Sequence, residues 1–95
     1  MIHLEPREKY DEAILEEDYE CNVVIYSYDS LVDILIEDMA KHYENEKEGL
    51  YEMAVEHMEY NLEGMRLNYK HWPLFLNDEQ YEEYRKKRID MVVRT

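Results

Sequence analysis

The sequence predicts an α+β fold: a mostly helical single domain over residues 1–95 with a small two-stranded sheet, in the order α-β-α-α-β-α. Three observations lead to this prediction. A chain of 95 residues has room for one core between about two layers of secondary structure. Apolar residues recur at helical spacing in several segments. The short run NVVIYSY, rich in β-branched and aromatic residues, is typical of a strand.

The first third of the chain combines a predicted helix with the best predicted strand. Pro6 suits a first helical turn, and an apolar stripe follows it, so we predict a helix over residues 6–17. The acidic residues from Glu16 to Glu20 lack neighbours of opposite charge, which predicts a loop or a frayed helix end. The strand over 22–28 is apolar at successive positions, so both of its faces are expected to be covered.

Two helices are predicted in the middle of the chain. Asp29 and Ser30 provide a helix start, and apolar residues then recur three or four apart over residues 30–43. The polar run from Glu44 to Gly49 is expected to be an exposed link. The central helix over residues 50–64 has an apolar face, and Gly64 would suit a left-handed cap at its end.

The last third is predicted to contain a strand and a helix. Trp72 and Pro73 close the helical pattern, and the apolar triplet 74–76 suits a second strand beside the first. Asn77 and Gln80 form a capping-box pattern, so residues 78–90 are expected to be helical. The pattern leaves open whether the following residues extend this helix or form an edge strand.

The net charge of −13 is unevenly distributed along the chain. Residues 1–65 carry a charge of −15, and residues 66–95 carry +2. A negative field repels nucleic acid and anionic membranes and attracts basic surfaces. We therefore expect a partner protein with a basic surface, no direct binding to nucleic acid and no binding to membranes.

The main functional candidate is a row of four glutamates on the central helix, the acidic ridge, formed by Glu52, Glu56, Glu59 and Glu63. No lysine or arginine stands among them, although like charges at this spacing destabilise a helix by about 0.2–0.5 kcal/mol per pair. Residues four apart rise about 6 Å on a helix, close to the spacing of phosphates along a DNA strand. Such a row is more often a solvated helix face without a partner, but the missing lysines also fit a nucleic-acid mimic, with Tyr51 and Tyr60 as candidate anchors.

The sequence gives little support for catalysis or for a cofactor. No two of the four histidines stand at helical ligand spacing, and the two glycines are too few for a phosphate-binding loop. Cys21 has no local base that would activate it, so a small packing residue is expected there. We predict a protein that is not an enzyme, with no catalytic residues, no metal and no cofactor.

The lone cysteine also bears on the compartment. It excludes an intrachain disulfide, which fits a reducing environment. The opening MIHLEPREKYDE lacks the basic start and apolar run of a signal peptide, and the apolar runs of the chain are far shorter than a membrane span. These features predict a soluble, cytoplasmic protein.

Four segments together resemble a set of small uncharacterised proteins of bacteriophages and prophages. The segments are DEAIL (Asp11–Leu15), VVIYSYDSLVDILI (Val23–Ile36), AVEHMEYNLEG (Ala54–Gly64) and WPLFL (Trp72–Leu76). The chain departs from the usual pattern in its longer charged link before Leu50 and in lacking a glycine-rich turn at 66–71. The resemblance implies a phage-like origin and a small α+β domain, and it carries over no catalytic residue.

These observations lead to two hypotheses. The first is an acidic phage-type inhibitor that binds the basic, nucleic-acid-binding surface of a host protein in the host cell cytosol, as some anti-CRISPR and anti-restriction proteins do. The alternative is a non-enzymatic structural or regulatory interaction module, such as a homodimer in which the acidic and basic ends of two copies meet.

Overall fold

A three-stranded mixed sheet and four α-helices make up the part of the chain that the computed structural model describes, residues 1–42 and 47–93. The helices are α1 (Arg7–Tyr10), α2 (Tyr28–Ala40), α3 (Lys47–His57) and α4 (Asp78–Val93). The strands are β1 (Ile14–Asp18), β2 (Val23–Ser27) and β3 (Leu74–Leu76). The α+β class is confirmed, whereas the prediction of a two-stranded sheet is wrong.

Strand β1 is the element that the sequence prediction missed. The helix predicted over residues 6–17 is shorter in the structure. Helix α1 ends at Tyr10, a 3₁₀ turn follows to Ala13, and the chain then enters β1. This strand pairs antiparallel with β2 from Ile14↔Tyr26 to Asp18↔Val23, with a bulge between Ile14 and Glu16. The alternation of apolar and polar residues expected of a strand is absent, because three acidic residues follow one another in β1. Carboxylates stand where a strand usually has apolar side chains, and they find partners within the fold.

Strand β2 is the centre of the sheet and is buried along its whole length. Its second neighbour, β3, runs parallel to it, with Ile25 aligned to Leu74 and Ser27 to Leu76. Helices α2 and α3 lie in the connection between these two strands, as a parallel pair requires. The prediction that both faces of this strand are covered is confirmed.

Helix α2 begins two residues earlier than predicted. Ser27, the last residue of β2, is its N-cap, and the Ser27 Oγ accepts a hydrogen bond of 3.2 Å from the Ser30 backbone N–H. The helix ends at Ala40, and residue 43, its predicted end, lies outside the described residues. The predicted link before Leu50 also falls partly outside them, and its last residues already belong to α3.

The central helix changes its winding near its middle. After His57 the chain forms a π-helix at Met58–Leu62 and then a 3₁₀ helix at Glu63–Leu67. The predicted left-handed cap at Gly64 is wrong, since no glycine of the described residues has a positive φ. A Cβ on Gly64 would lie 3.3 Å from the Glu59 carbonyl oxygen, so close backbone approach favours glycine at this position.

The last two elements follow the sequence prediction closely. Strand β3 has the predicted bounds, and α4 continues as a helix to Val93. The capping box is present: the Gln80 N–H donates to Asn77 Oδ1 at 2.8 Å, and the Asn77 N–H donates to Gln80 Oε1 at 2.9 Å.

The core lies between the sheet, α2 and the central helix. Tyr26 and Phe75 from neighbouring strands meet there with ring centroids 6.1 Å apart. Tyr26 is fully buried, and its hydroxyl accepts the Leu4 backbone N–H at 2.8 Å. Apolar side chains of both helices complete the core: Leu31, Val32, Ile34, Leu35, Ala54 and Met58. Burial of these side chains fixes the central helix, and therefore turns its opposite face to solvent.

Candidate functional site

The acidic ridge is on the surface, as predicted. Glu52 and Glu56 lie on α3, Glu59 on the π-helix and Glu63 at the start of the 3₁₀ helix. The first three are exposed and Glu63 is half-buried. The predicted anchors are exposed as well, Tyr51 by 54% and Tyr60 by 75%. Their exposure follows from the burial of Ala54 and Met58, which face the core from the same segment.

The ridge carboxylates have no ion-pair partner among the described side chains. No lysine, arginine or histidine nitrogen of residues 1–42 or of the described side chains after Gly49 lies within 4.0 Å of a ridge carboxylate. The six ion pairs of that part of the chain involve other acidic residues. The ridge is therefore a source of negative potential that these side chains do not cancel at close range.

Tyr28, at the start of α2, lies within this negative field. Burial raises the pKa of the Tyr28 phenol, and the carboxylates of Glu63 and Glu59 raise it further. A negative charge on a phenolate near two carboxylates is unfavourable, which keeps the hydroxyl protonated. The end of the ridge at Glu63, which is half-buried, therefore lies close to Tyr28 at the edge of the core.

The change of winding corrects the predicted spacing of the ridge. The correspondence with DNA phosphates assumes one continuous α-helix, in which residues four apart rise about 6 Å. Only Glu52 and Glu56 lie on regular α-helix, while Glu59 and Glu63 lie on segments with wider and tighter turns. The ridge is thus a patch of carboxylates rather than an evenly spaced line.

An open groove of about 260 Å³ adjoins the ridge. It is lined by side chains of α2, α3 and the π-helix: Met39, Met53, Glu56, His57, Tyr60 and Asn61. Asn61 Nδ2 and His57 Nδ1 are hydrogen-bonded at 3.0 Å along its wall. A second groove of similar volume, lined by Glu12, Ser30, Asp33, Ile34 and Glu37, lies beside α2.

A second acidic group has a different environment. We call it the clasp, and it joins β1 to α4 through Glu16, Asp18, Tyr81, Tyr84 and Arg88. The Tyr81 hydroxyl donates to Glu16 at 2.8 Å, and the Arg88 guanidinium donates to both Glu16 oxygens. The Tyr84 hydroxyl donates to Asp18, which also accepts the backbone N–H groups of Glu20 and Cys21 at 3.1 Å.

The clasp contacts shift the pKa values of its members in opposite directions. The hydrogen bond from Arg88 lowers the pKa of Glu16, and that from Tyr84 lowers the pKa of Asp18. Burial raises the pKa of the Tyr84 phenol, and its bond to Asp18 adds to the rise. Both carboxylates are thus held ionised and both tyrosines neutral at pH 7, which is the state that keeps α4 on the sheet.

The clasp was not predicted from sequence, although part of its signal is visible there. Tyr81, Tyr84 and Arg88 recur at helical spacing, and Glu16 and Asp18 stand two apart, as residues on one face of a strand do. The loop or frayed helix end predicted for the acidic run is wrong for Glu16 to Asp18, which belong to β1 and whose carboxylates have partners, whereas Glu20 lies in the turn that follows. The basic run of α4 supplies Arg88 to this cluster, while Arg85, Lys86 and Lys87 stay exposed.

Other acidic residues near the amino terminus also have partners. Glu17, on the opposite face of β1, accepts from the Tyr19 hydroxyl at 2.7 Å and lies 3.1 Å from His3 Nε2. Lys9 Nζ lies 2.8 Å from Asp38 of α2. The acidic half of the chain therefore contains matched carboxylates on β1 and α2 beside the unmatched ones of the ridge.

The remaining sequence candidates add no further site. Cys21 is exposed rather than packed in the core, because it lies in the turn between β1 and β2. Over residues 1–42 and 47–93, no three histidine, cysteine or acidic side chains converge as metal ligands would. In the same ranges, no helix has the length and apolarity needed to span a membrane.

Comparisons with protein-family models, with curated proteins and with solved structures find no match to this chain. The resemblance to phage proteins therefore stays a prediction.

Proposed function

We propose that the protein is a non-enzymatic phage-type inhibitor, whose acidic ridge binds a basic surface of a host protein where nucleic acid normally lies. One observation carries this proposal: the four ridge carboxylates have no ion-pair partner among the described cationic side chains, whereas those of Asp11, Glu16, Glu17, Asp18 and Asp38 do. A surface of lysine and arginine offers the charge that the ridge lacks.

Energetics also favour an external partner for the ridge. The like charges of Glu52 and Glu56, four apart on α3, cost stability, and the described cations of the chain do not offset this cost by direct ion pairing. The four ridge charges speed association with a basic surface, because the attraction acts before contact. Tyr51 and Tyr60 add exposed aromatic area that can become buried in the complex.

The experiment compares three immobilised proteins as baits for a bacterial host lysate, with washes at low and at high salt. The first is the native chain, and the second carries lysine at all four ridge positions. The third is a matched control with the same change in net charge, in which four exposed glutamates outside the ridge become lysine: Glu5, Glu8, Glu12 and Glu20. Circular dichroism establishes that all three baits are folded.

We expect the native chain and the matched control to retain the same host proteins at low salt and to release them at high salt. The ridge-reversed variant retains none of them, and the retained proteins bind duplex DNA in competition with the native chain. Retention of the same proteins by the ridge-reversed variant would show that the ridge is not the binding surface. Retained proteins with no affinity for nucleic acid would contradict the mimicry.

A second candidate function is self-association as an interaction module. It is favoured by the exposed cations of α4, Arg85, Lys86 and Lys87, which could meet the ridge of another copy. The net charge of −13 on each copy opposes it. Sedimentation equilibrium at low and high salt distinguishes the two functions: a salt-sensitive dimer of the native chain supports self-association, and a monomer at both salts contradicts it.

A further inference from the structure

The groove beside the ridge has two methionines and a histidine in its half-buried part and an acidic and aromatic rim. Met39, Met53 and His57 are half-buried, whereas Glu56 and Tyr60 are exposed. At about 260 Å³ the groove is smaller than the roughly 300–1,000 Å³ of sites that enclose small-molecule ligands. Its size and open shape suit a single long side chain of a partner protein.

We propose that this groove holds the side chain of an arginine from the basic partner. The proposal rests on the proposed function of the ridge and names the residue that the ridge recognises. The aliphatic part of arginine would lie on the two methionines, whose flexible thioethers adapt to a long stem. The guanidinium would reach Glu56 and the ring of Tyr60.

Arginine fits this rim better than lysine for two reasons. A planar guanidinium donates two parallel hydrogen bonds to one carboxylate, whereas an ammonium group acts as a point charge. It also stacks on a tyrosine face, as Arg85 and Arg88 of this chain do at 5.8 Å from the rings of Tyr81 and Tyr84. No cationic side chain of the described residues is ion-paired with Glu56, so its carboxylate can accept the incoming charge.

The π-helix provides an independent reason to assign a role to this groove. Single π-turns are rare in α-helices and recur at functional sites. Here the π-turn begins directly after His57 and carries Tyr60 and Asn61, two of the groove residues. The wider winding of this π-turn interrupts the regular α-helix at the groove wall.

The test titrates hexa-arginine and, separately, hexa-lysine into the full chain at low salt, with the methionine methyl groups followed by NMR. We expect hexa-arginine to shift the methyl signals of Met39 and Met53 and to leave that of the fully buried Met58 unchanged. We also expect hexa-arginine to bind about 2- to 5-fold more tightly than hexa-lysine. In Tyr60→Ala this preference becomes smaller, because the stacking surface is removed and only the paired hydrogen bonds to Glu56 still favour a guanidinium.

The matched control is Tyr19→Ala, which removes an equally exposed tyrosine, 78% exposed, from the turn between β1 and β2. It should retain the preference for arginine. Equal affinities of the two peptides for the native chain, or loss of the preference in both variants, would overturn the groove assignment. Methyl shifts of Met39 and Met53 on concentrating the protein without peptide would make a second copy the occupant and would also overturn it.

The ridge-reversed variant separates failure of the groove from failure of the ridge. If both peptides bind the native chain equally and neither binds the ridge-reversed variant, the groove proposal is wrong and the ridge function stands. If lysine at Glu52, Glu59 and Glu63, with Glu56 kept, leaves hexa-arginine binding and its methionine shifts unchanged, the groove assignment stands and the ridge function fails. If neither peptide binds the native chain, both are contradicted.

Discussion

The clasp and the ridge both take carboxylates from the acidic part of the chain, but the surroundings of those carboxylates are opposite. In the clasp, Glu16 and Asp18 accept hydrogen bonds from two tyrosines, an arginine and two backbone N–H groups. In the ridge, three carboxylates are exposed and one is half-buried, and none has an ion-pair partner among the described side chains. The comparison separates carboxylates that hold the fold together from carboxylates that are available to another molecule.

The difference has an energetic cause. Asp18 is 4% exposed, so its charge has lost most of its hydration and depends on its partners. The exposed ridge glutamates Glu52, Glu56 and Glu59 keep their hydration, and repulsion between neighbouring charges is only about 0.2–0.5 kcal/mol per pair. A mutation in the clasp should therefore change stability, while a mutation in the ridge should change binding.

The largest expected effect on stability comes from Asp18→Ala. It removes the acceptor of two backbone N–H groups and of the Tyr84 hydroxyl, and it should lower the free energy of unfolding by about 3 kcal/mol. Glu56→Ala is the matched ridge substitution and should change it by less than about 0.5 kcal/mol. Guanidinium denaturation followed by circular dichroism measures both. Equal effects of the two substitutions would remove the distinction between clasp and ridge.

A smaller effect is expected from Tyr84→Phe, which deletes one hydrogen bond to a charged acceptor. The loss should be about 1.5–3 kcal/mol at pH 7, against less than about 0.5 kcal/mol for Tyr19→Phe, whose hydroxyl bonds an exposed part of Glu17. Guanidinium denaturation of the two variants at pH 7 measures the difference. A Tyr84→Phe protein as stable as the native chain would show that this bond does not hold α4.

The same variant tests the pH dependence of the clasp. The folded-state pKa of Asp18 is lowered, so its contribution is present above about pH 4 and is lost as the pH falls through the folded value. The folded-state pKa of Tyr84 is raised, so its contribution is present below about pH 10 and is lost as the pH rises above that. Stability measured against pH should fall at both ends, and Tyr84→Phe should reduce the alkaline fall.

The smallest effect is expected from neutralising the ridge. Glu52→Gln combined with Glu56→Gln removes repulsion between residues four apart, so it should raise the free energy of unfolding by about 0.2–0.5 kcal/mol. Added salt should stabilise the native chain slightly more than this variant, because salt screens the same repulsion. Thermal melts at low and high salt measure both. A loss of stability in the variant would show that the ridge carboxylates do have partners within the fold.

The sequence allowed the parts of the fold that depend on local signals to be predicted. Three elements are predicted by their own residues. They are the strand in the run Asn22–Tyr28, the strand at the triplet 74–76 and the helix after the capping box at Asn77. The exposure of the ridge follows in the same way, because the apolar spacing of Ala54 and Met58 determines which face is buried.

The missed features depend on residues far apart in the chain. Strand β1 has an acidic face that is stable only because Arg88 and two tyrosines, more than sixty residues later, lie against it. No local pattern distinguishes such a strand from a solvated loop. The π-turn was missed for a related reason, since the apolar spacing of this segment is compatible with a regular helix and tertiary packing changes its winding.

The most direct test of the central claim is the carboxyl-carbon NMR spectrum of the full chain, recorded at pH 7 with and without hexa-arginine. We expect the side-chain carboxyl signals of Glu52, Glu56, Glu59 and Glu63 to shift together as peptide is added, while those of Glu16 and Asp18 stay in place. Shifts spread evenly over the exposed carboxylates of the whole chain, or confined to carboxylates outside the ridge, would contradict it.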